Sequence, residues 1–333
     1  MVAEPLNFRL HRSKLFVPGN RPELFQKALI SGADTISIDL EDAVPAGETA
    51  TARRIVAEFL DDLKPGSMPP GVEIGVRLNG RDSGNMVEDI LATVRPGLHW
   101  VNVPKVEDPV DILLCADLLD HMERQYDFAQ QIAILATIET PRGVRRVAEI
   151  AAAHPRLTGL QFGVGDYGIA MGITPSPTRL MPAWMAVVGA AREAGIAAYD
   201  SAFIDLEDMA GFEAWCREAK ACGFAGKSCI HPKQVAQCNA SFSPSVEELE
   251  EARAIVAAYD DAVAKGLGAL TFRGKLVDYP FAEDARRMVT QFSTGEIVRH
   301  GTRTFCPPHG FRSTRRRDRY RLSELHGGQP GVG

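Results

Sequence analysis

Seven ionisable side chains lie at the ends of short apolar runs, and together they have the composition of a metal and anion site. They are Glu41, Asp42, Arg77, Lys105, Glu139, Asp166 and His231. Four carboxylates are costly to bury together unless other charges compensate them. Carboxylate oxygens are ligands that Mg²⁺ prefers, and an arginine offers a planar fork for a carboxylate. The residue types therefore predict a divalent cation and an anionic substrate, provided that the fold brings them together.

Eight apolar runs, each followed by a helix-like segment, supply the elements that would position these side chains. The runs cover residues 14–19, 35–42, 73–80, 100–106, 131–139, 159–166, 199–204 and 226–232. Eight alternating strand and helix units are typical of an α/β protein with a closed TIM (β/α)8 barrel. The C-terminal ends of the strands in such a barrel open onto one face, where active sites lie. We therefore expect all seven residues to meet at this mouth.

Glu139 and Asp166 are the predicted metal ligands, because they end consecutive strands and would be neighbours around the ring. Mg²⁺ usually takes one or two protein carboxylates and keeps several waters, which leaves room for substrate oxygens. Mn²⁺ is an alternative ion. Either acid could instead cap the helix that follows it.

The other ionisable residues each have two interpretations. Arg77 could bind a substrate carboxylate or brace Glu41 and Asp42 in an internal salt bridge, and the two roles can coexist. Lys105 could position acids or bind an anion. A lone histidine such as His231 is more often structural than catalytic. Gly165 lies in a glycine-rich turn where backbone amides could approach a ligand closely.

Composition places the chain among globular proteins of the cytoplasm. Its 333 residues are 45% hydrophobic and 24% charged, which is ample for a barrel of roughly 250 residues with extensions. There is no apolar run of about 18 residues and no apolar segment typical of a secretory signal. The six cysteines form no CxxC pair, which favours reduced thiols in the cytosol. We expect no membrane contact.

Three segments are predicted. Residues 1–242 form the barrel, residues 243–292 form a C-terminal helical lid or oligomerisation arm, and residues 293–333 form a disordered basic tail. From Arg299 onward the chain has eight arginines and two acids. A basic tail could touch nucleic acid, but we interpret this one as a non-catalytic extension and expect no nucleic acid partner.

Seven ordered motifs carry a resemblance to a known family. They are RSKLFVPGNRPELFQKA, GADTISIDLEDAV, VRLNG, PKVED, IETPRGV, GVGD and GFAGKSCIHPKQV. In their order and spacing, the motifs resemble the CitE-like (HpcH/HpaI aldolase/citrate lyase β subunit) family, which includes malyl-CoA and citramalyl-CoA lyases. The similarity extends from about Arg12 to Val289.

The resemblance implies a Mg²⁺-dependent carbon–carbon lyase of the retro-Claisen or aldol type. Its substrate would be a carboxylated β-hydroxyacyl-CoA such as malyl-CoA or citramalyl-CoA, and its products a keto acid and an acyl-CoA. Glu139 and Asp166 would hold Mg²⁺, and Arg77 would bind the carboxylate of the acid. Asp278 would be the catalytic acid/base, delivered by a neighbouring subunit of a homotrimer or hexamer. The residues implied along the acyl-CoA path are Phe16, Pro18, Gly19, Lys27, Ile230 and His231.

Two departures from the family pattern leave other functions open. Thr49 and Glu23 stand where relatives often carry lysine, which removes positive charge from the place where the phosphates of CoA would lie. An aldolase acting on free hydroxy acids is therefore one alternative. A malyl-CoA-type thioesterase and a CitE-like subunit of a larger lyase complex are two others.

Overall fold

A closed barrel of eight parallel strands forms the centre of the protein, which a computed structural model describes over residues 11–64, 66–126, 128 and 130–292. The strands are β1 (Ser13–Pro18), β2 (Thr35–Asp39), β3 (Glu73–Arg77), β4 (Trp100–Val103), β5 (Ala133–Ile138), β6 (Leu157–Phe162), β7 (Ala197–Asp200) and β8 (Gly226–Cys229). Each strand pairs with the next, and β8 returns to β1 with Ser228 opposite Lys14. The predicted TIM (β/α)8 barrel is confirmed.

At least one helix follows each barrel strand. The helices are α1 (Phe25–Leu29), α2 (Thr49–Asp61), α3 (Met86–Thr93), α4 (Pro109–Tyr126), α5 (Pro141–Arg145), α6 (Val147–Ala151), α7 (Val164–Met171), α8 (Pro177–Ala194), α9 (Met209–Cys222) and α10 (Pro232–Phe242). After them come α11 (Val246–Ala264), the strands β9 (Ala269–Phe272) and β10 (Lys275–Asp278), and α12 (Tyr279–Phe292). Within the described ranges, no helix combines the length and the apolar character needed to cross a membrane.

The main core lies between the barrel strands and the helices around them. Successive side chains of a strand point to opposite faces, so one set faces the helices and the other faces the barrel interior. Ile36 and Ile38 of β2 and Ile74 and Val76 of β3 belong to the outer set, and all four are fully buried. Branched side chains suit this layer because they pack well on a pleated surface.

The barrel interior is unusually polar for a fold whose interior is normally filled by branched apolar side chains. Several buried interior residues carry a side-chain nitrogen or oxygen atom with no hydrogen-bond partner among the described residues, including Lys14, Ser37, Asn102, Gln161 and Ser228. Burial, followed by the charge of Arg77, lowers the pKa of Lys14 well below its usual range. Burial in the barrel interior thus disfavours the charged form of this amine.

The segment after α10 forms an arm with a small core of its own. Arg273 and Gly274 both have positive φ angles, 46° and 79°, as a two-residue hairpin between antiparallel strands favours. The arm packs around Tyr259, Val277 and Ala282. Its role as lid or oligomerisation arm and the division at residue 242 stay predictions, and the predicted disordered tail, residues 293–333, lies outside the described residues.

Several strands end before the predicted runs do, among them β2, β3 and β7, and at two others the difference changes the position of a predicted site residue. Strand β6 ends at Phe162, Gly163 is the extended N-cap of α7, and Asp166 lies in the first turn of that helix. A carboxylate in the first turn of a helix is favoured by the positive end of the helix dipole. His231 does not end β8; it is the N-cap of α10, where its Nδ1 accepts a hydrogen bond from the backbone N–H of Lys233 at 3.1 Å.

Candidate active site

Arg77, the last residue of β3, is the centre of a charged cluster at the barrel mouth. Its Nε and Nη2 donate to the Asp39 carboxylate at 2.7 and 2.6 Å. Its Nη1 lies 3.0 Å from both Asp42 Oδ2 and Glu41 Oε2. The internal salt bridge considered for Arg77 is therefore present. Its strongest partner, Asp39, is not among the predicted site residues because this acid lies inside an apolar run. Its spacing from Thr35 and Ser37 is the sequence signal that places it on the inner face of the strand.

Lys105 connects this cluster to Glu139 through both its backbone and its side chain. Its backbone N–H donates to Glu139 Oε1 at 2.7 Å, and its Nζ donates to Glu41 Oε1 at 2.9 Å. Burial acts against the ammonium, but the hydrogen bond to Glu41 and the negative charges of Glu41, Asp166 and Asp42 together outweigh it and hold the pKa of Lys105 above its usual range. The residue has a φ angle of 51°, in the left-handed region that side chains rarely adopt. Lys105 thus positions two acids, as one of its two interpretations predicted.

Glu139 follows β5 directly and is buried, with 4% of its surface exposed. Burial, together with the negative charges of Glu41 and Asp166, raises the pKa of Glu139 to about 7. The carboxylate fills the space beside Gly163, where a Cβ atom would lie only 2.2 Å from Glu139 Oε2. Glycine at position 163 therefore makes room for this carboxylate.

Glu139 and Asp166 have the chemistry of a magnesium site. The Asp166 carboxylate is half-buried, and its charge contributes to the raised pKa of Glu139, so the two acids share one local environment. Over the described part of the chain, no three or more His, Cys, Asp or Glu side chains form a group that could hold a metal ion unaided. Two carboxylates match the usual protein contribution to Mg²⁺, whose other ligands are waters or substrate oxygens. The residues present thus fit this ion.

We expect the Mg²⁺ affinity to depend on pH through Glu139. A ligand carboxylate must lose its proton before it binds a metal, so protons compete with Mg²⁺ below the pKa of about 7. The affinity should rise roughly tenfold per pH unit in the acidic range and level off above neutrality. Calorimetric titration with Mg²⁺ in buffers of different ionisation enthalpy should show proton release at pH 6 and little at pH 8.5. A pH-independent affinity would contradict this role for Glu139.

The left-handed backbone at position 105 gives a prediction for stability. Lys105→Gly and Lys105→Ala both lose the ion pair to Glu41 and keep the N–H that binds Glu139. Only glycine adopts a positive φ angle without strain, although it also loses more entropy on folding. We expect the glycine variant to be more stable than the alanine variant by about 0.5–1 kcal/mol, as measured by denaturant unfolding. Greater stability of the alanine variant would show that the position is not strained.

The structure brings one implied substrate-binding residue, Phe16, directly to the cluster. The Phe16 ring lies close to two basic side chains, with Arg77 Cζ at 5.0 Å and Lys14 Nζ at 5.1 Å from its centroid. Glycine at position 19 is explained by packing alone, because a Cβ atom there would lie 2.7 Å from the backbone oxygen of Asp39. Pro18 ends β1 immediately before it.

Within the described ranges, no side-chain hydrogen bond or ion pair joins the remaining implied residues to Arg77 or Glu139. Lys27 is exposed on α1, and Gly165 lies in the first turn of α7 with open space where a Cβ would be. Ile230 is partly exposed, and its backbone N–H donates to Gln234 Oε1 at 2.9 Å. Their part in ligand binding, with that of His231, stays a prediction.

Asp278 is the last residue of β10 and belongs to the arm. Its Oδ1 is buried and has no hydrogen-bond partner among the described residues. The arm approaches the barrel where Arg192, in the last turn of α8, lies within electrostatic range of Asp284 and Arg287 on α12. The C-terminal end of α8 is followed directly by the N-terminal end of β7. The N-terminal ends of the strands lie on the face of the barrel opposite the mouth. No described contact brings Asp278 to Arg77 or Glu139 of its own chain.

A cavity of about 360 Å³ opens beside Lys105, between the loops that follow β3, β4 and β5. Its lining includes Arg81, Asp82, Pro104, Lys105, Asp111, Thr140 and Arg142. This volume lies in the range of small-ligand sites. The cavity reaches the charged cluster only through Lys105, because neither Glu139 nor Asp166 is among the residues that line it.

Comparison with known proteins gives one consistent result. The sequence profile described as HpcH/HpaI aldolase/citrate lyase matches residues 12–232. Citrate lyase subunit beta of Leuconostoc mesenteroides subsp. cremoris is 35% identical over 88% of this chain and 96% of its own length. L-malyl-CoA/beta-methylmalyl-CoA lyase of Cereibacter sphaeroides is 34% identical over 85% of this chain and 95% of its own length.

A solved structure agrees. CitE from Mycobacterium tuberculosis, in complex with magnesium, acetoacetate and coenzyme A, is 28% identical with a TM-score of 0.66. The alignment covers 86% of this chain and 97% of that one. Sequence and fold therefore lead to the same conclusion: this chain belongs to the HpcH/HpaI aldolase/citrate lyase family.

Proposed function

We propose that this protein is a Mg²⁺-dependent carbon–carbon lyase acting on a carboxylated β-hydroxyacyl-CoA such as malyl-CoA or citramalyl-CoA. The observation that carries the proposal is the pair Glu139 and Asp166 beside the Arg77 cluster at one barrel mouth. The name of the Cereibacter relative and the ligands in the Mycobacterium CitE structure support it. The products are a keto acid and an acyl-CoA, and the protein is expected in the cytoplasm.

The chain's own residues would hold the reacting groups as follows. Glu139 and Asp166 hold Mg²⁺, which acts as a Lewis acid toward substrate oxygens. Arg77 binds the carboxylate of the acid part. Lys105 fixes Glu139 and Glu41, so the carboxylates are in place before substrate arrives.

Cleavage breaks the carbon–carbon bond at the β-carbon and forms the carbonyl group of the keto acid, and it needs no external oxidant. The β-hydroxyl group gives its proton to water, its oxygen becomes the carbonyl of the keto acid, and the electrons of the broken carbon–carbon bond pass to the thioester as an enolate. Asp278 then gives a proton to the enolate carbon, and in the condensation direction it removes that proton.

Asp278 would act in the mouth of a neighbouring subunit of a homotrimer or hexamer. The arm lies within electrostatic range of Arg192, which is near the end of its own barrel opposite the mouth. Large apolar side chains next to Asp278 are exposed, namely Leu276, Tyr279 and Phe281. Exposed apolar groups of this kind favour burial against another protein surface.

A panel of CoA thioesters, incubated with the protein and Mg²⁺ and analysed by mass spectrometry, tests the proposal. A lyase releases glyoxylate or pyruvate together with an acyl-CoA. A thioesterase releases free malate or citramalate and CoA. Cleavage of free hydroxy acids alone would instead identify an aldolase that does not use CoA, in agreement with Thr49 and Glu23.

The similarity to citrate lyase subunit beta favours a second candidate, a subunit of a larger lyase complex. The two candidates differ in what the purified chain does alone. Turnover of a CoA thioester by the isolated protein supports the first. Activity that depends on a further subunit supports the second.

A further inference from the structure

Arg77 presents two edges to its acidic partners, and buried groups hold one of them firmly. Nε and Nη2 donate to the two oxygens of Asp39, whose side chain is 1% exposed. The backbone N–H groups of Glu41 and Ala43 donate to the same two oxygens, each at 3.0 Å. Breaking a buried bidentate pair leaves an uncompensated charge, which is strongly unfavourable. The edge formed by Nε and Nη2 is therefore held by Asp39 and is not available to a ligand.

The other edge of Arg77 carries a partner of a different kind. Nη1 donates to Asp42 Oδ2 at 3.0 Å, and the Asp42 side chain is 57% exposed. Across the described residues, Arg77 is the partner of this carboxylate. The second acid at Nη1, Glu41, is buried and is also held by Lys105. Exposed ion pairs contribute little, because water competes for both charges, so Asp42 is the partner that another anion can replace.

We propose that Asp42 occupies, in the ligand-free protein, the position on Arg77 that the carboxylate of a keto acid takes in the complex. Asp42 is then a positioning residue with two effects. It keeps the Nη1 edge of Arg77 oriented while the site is free, and it competes with the ligand for the same donor. The inference rests on the proposed function, because it takes Arg77 as the residue that binds a keto acid.

While Asp42 is paired with Arg77, a keto acid must displace it in order to bind. The apparent affinity for the keto acid is therefore lowered by a factor set by the free energy of the Asp42–Arg77 ion pair. Asp42→Asn keeps the shape of the side chain and an oxygen that can accept from Arg77, but it removes the charge. From the usual strength of exposed ion pairs, we expect this variant to bind a keto acid about two- to fivefold more tightly than the unaltered protein. A purely structural role for Asp42 would leave the affinity unchanged or weaken it.

The test is a calorimetric titration of pyruvate into the full-length protein in excess Mg²⁺, without any thioester. Glu48→Gln is the matched control, since it removes one exposed negative charge from the same loop without touching Arg77. Tighter binding by Asp42→Asn, with Glu48→Gln equal to the unaltered protein, supports the proposal. Equal or weaker binding by Asp42→Asn, or equal tightening in both variants, overturns it.

The same titration separates this proposal from the proposed function. If the unaltered protein binds neither pyruvate nor, in a parallel titration, glyoxylate in the presence of Mg²⁺, the keto acid site itself is wrong and both proposals fail. If it binds pyruvate and Asp42→Asn does not tighten the complex, only the role of Asp42 fails. If pyruvate binding tightens in Asp42→Asn while no CoA thioester is cleaved, the role of Asp42 stands and the lyase proposal fails.

Discussion

Replacing Glu139 with glutamine, or Asp166 with asparagine, is expected to lower turnover at least about a hundredfold while the barrel stays folded. Each variant removes one of the two carboxylates proposed to hold Mg²⁺. Glutamine can still accept the hydrogen bond that Lys105 N–H gives to Glu139, and it no longer places a charge in a buried position. Steady-state rates with saturating Mg²⁺, compared with melting temperatures, check the prediction. Either variant retaining full activity in excess EDTA would contradict it.

A substitution at Gly163 tests the position of the Glu139 carboxylate without changing either proposed metal ligand. Gly163→Ala would place a methyl group 2.2 Å from Glu139 Oε2 and so displace the carboxylate. Its control is Gly189→Ala on α8, where a Cβ meets nothing within 4 Å. Loss of Mg²⁺ affinity in the first variant and not in the second would support the metal site independently of any change at the two acids.

Asp278→Asn is expected to lower turnover by roughly 10²–10⁴-fold with metal and keto acid binding retained. Asparagine has nearly the same shape but cannot exchange a proton with the enolate carbon. Rates and pyruvate titrations on the same sample separate the two effects. Asp261→Asn, an exposed substitution in α11, is the control for the arm. Equal loss of pyruvate affinity and turnover would point to a disturbed arm and against proton transfer.

The position of Asp278 also predicts complementation between subunits. When Asp278→Asn and Glu139→Gln subunits are mixed and allowed to exchange, some sites should combine an intact acid with an intact metal pair. Partial recovery of activity is expected. If size measurements confirm exchange and no activity returns, Asp278 acts within its own chain.

The barrel and most of the cluster at its mouth are predictable from the sequence because both depend on local pattern. Apolar runs of strand length with helix-like segments between them predicted all eight strands, and polar residues at the run ends predicted Arg77 and Glu139. Asp39 was missed because one acid inside an apolar run looks like an interruption. Its spacing from Thr35 and Ser37 was the available signal, and the pairing of β2 with β3, which sets Asp39 opposite Arg77, confirms that it faces inward.

Asp166 and Asp278 show two other limits. The run that contains Asp166 continues through two glycines, and sequence pattern did not show that the strand stops at the first of them. Asp278 is followed by an aromatic residue and a proline and resembles an acid in a turn by spacing alone. It entered the prediction only through resemblance to a family, since a proton donor supplied by another subunit leaves no trace in the periodicity of one chain.

The polar lumen of the barrel has a consequence for protein engineering. The branched side chains that pack between the strands and the helices face outward from the barrel. The packing of this outer layer therefore does not depend on Lys14, Ser37 or Ser228, which face the interior. The two faces of each strand can therefore be redesigned separately. Refilling the lumen with complementary apolar side chains, as one set, would remove unpaired polar groups. The stability gained in this way offers a more tolerant scaffold on which the chemistry of the mouth can be altered.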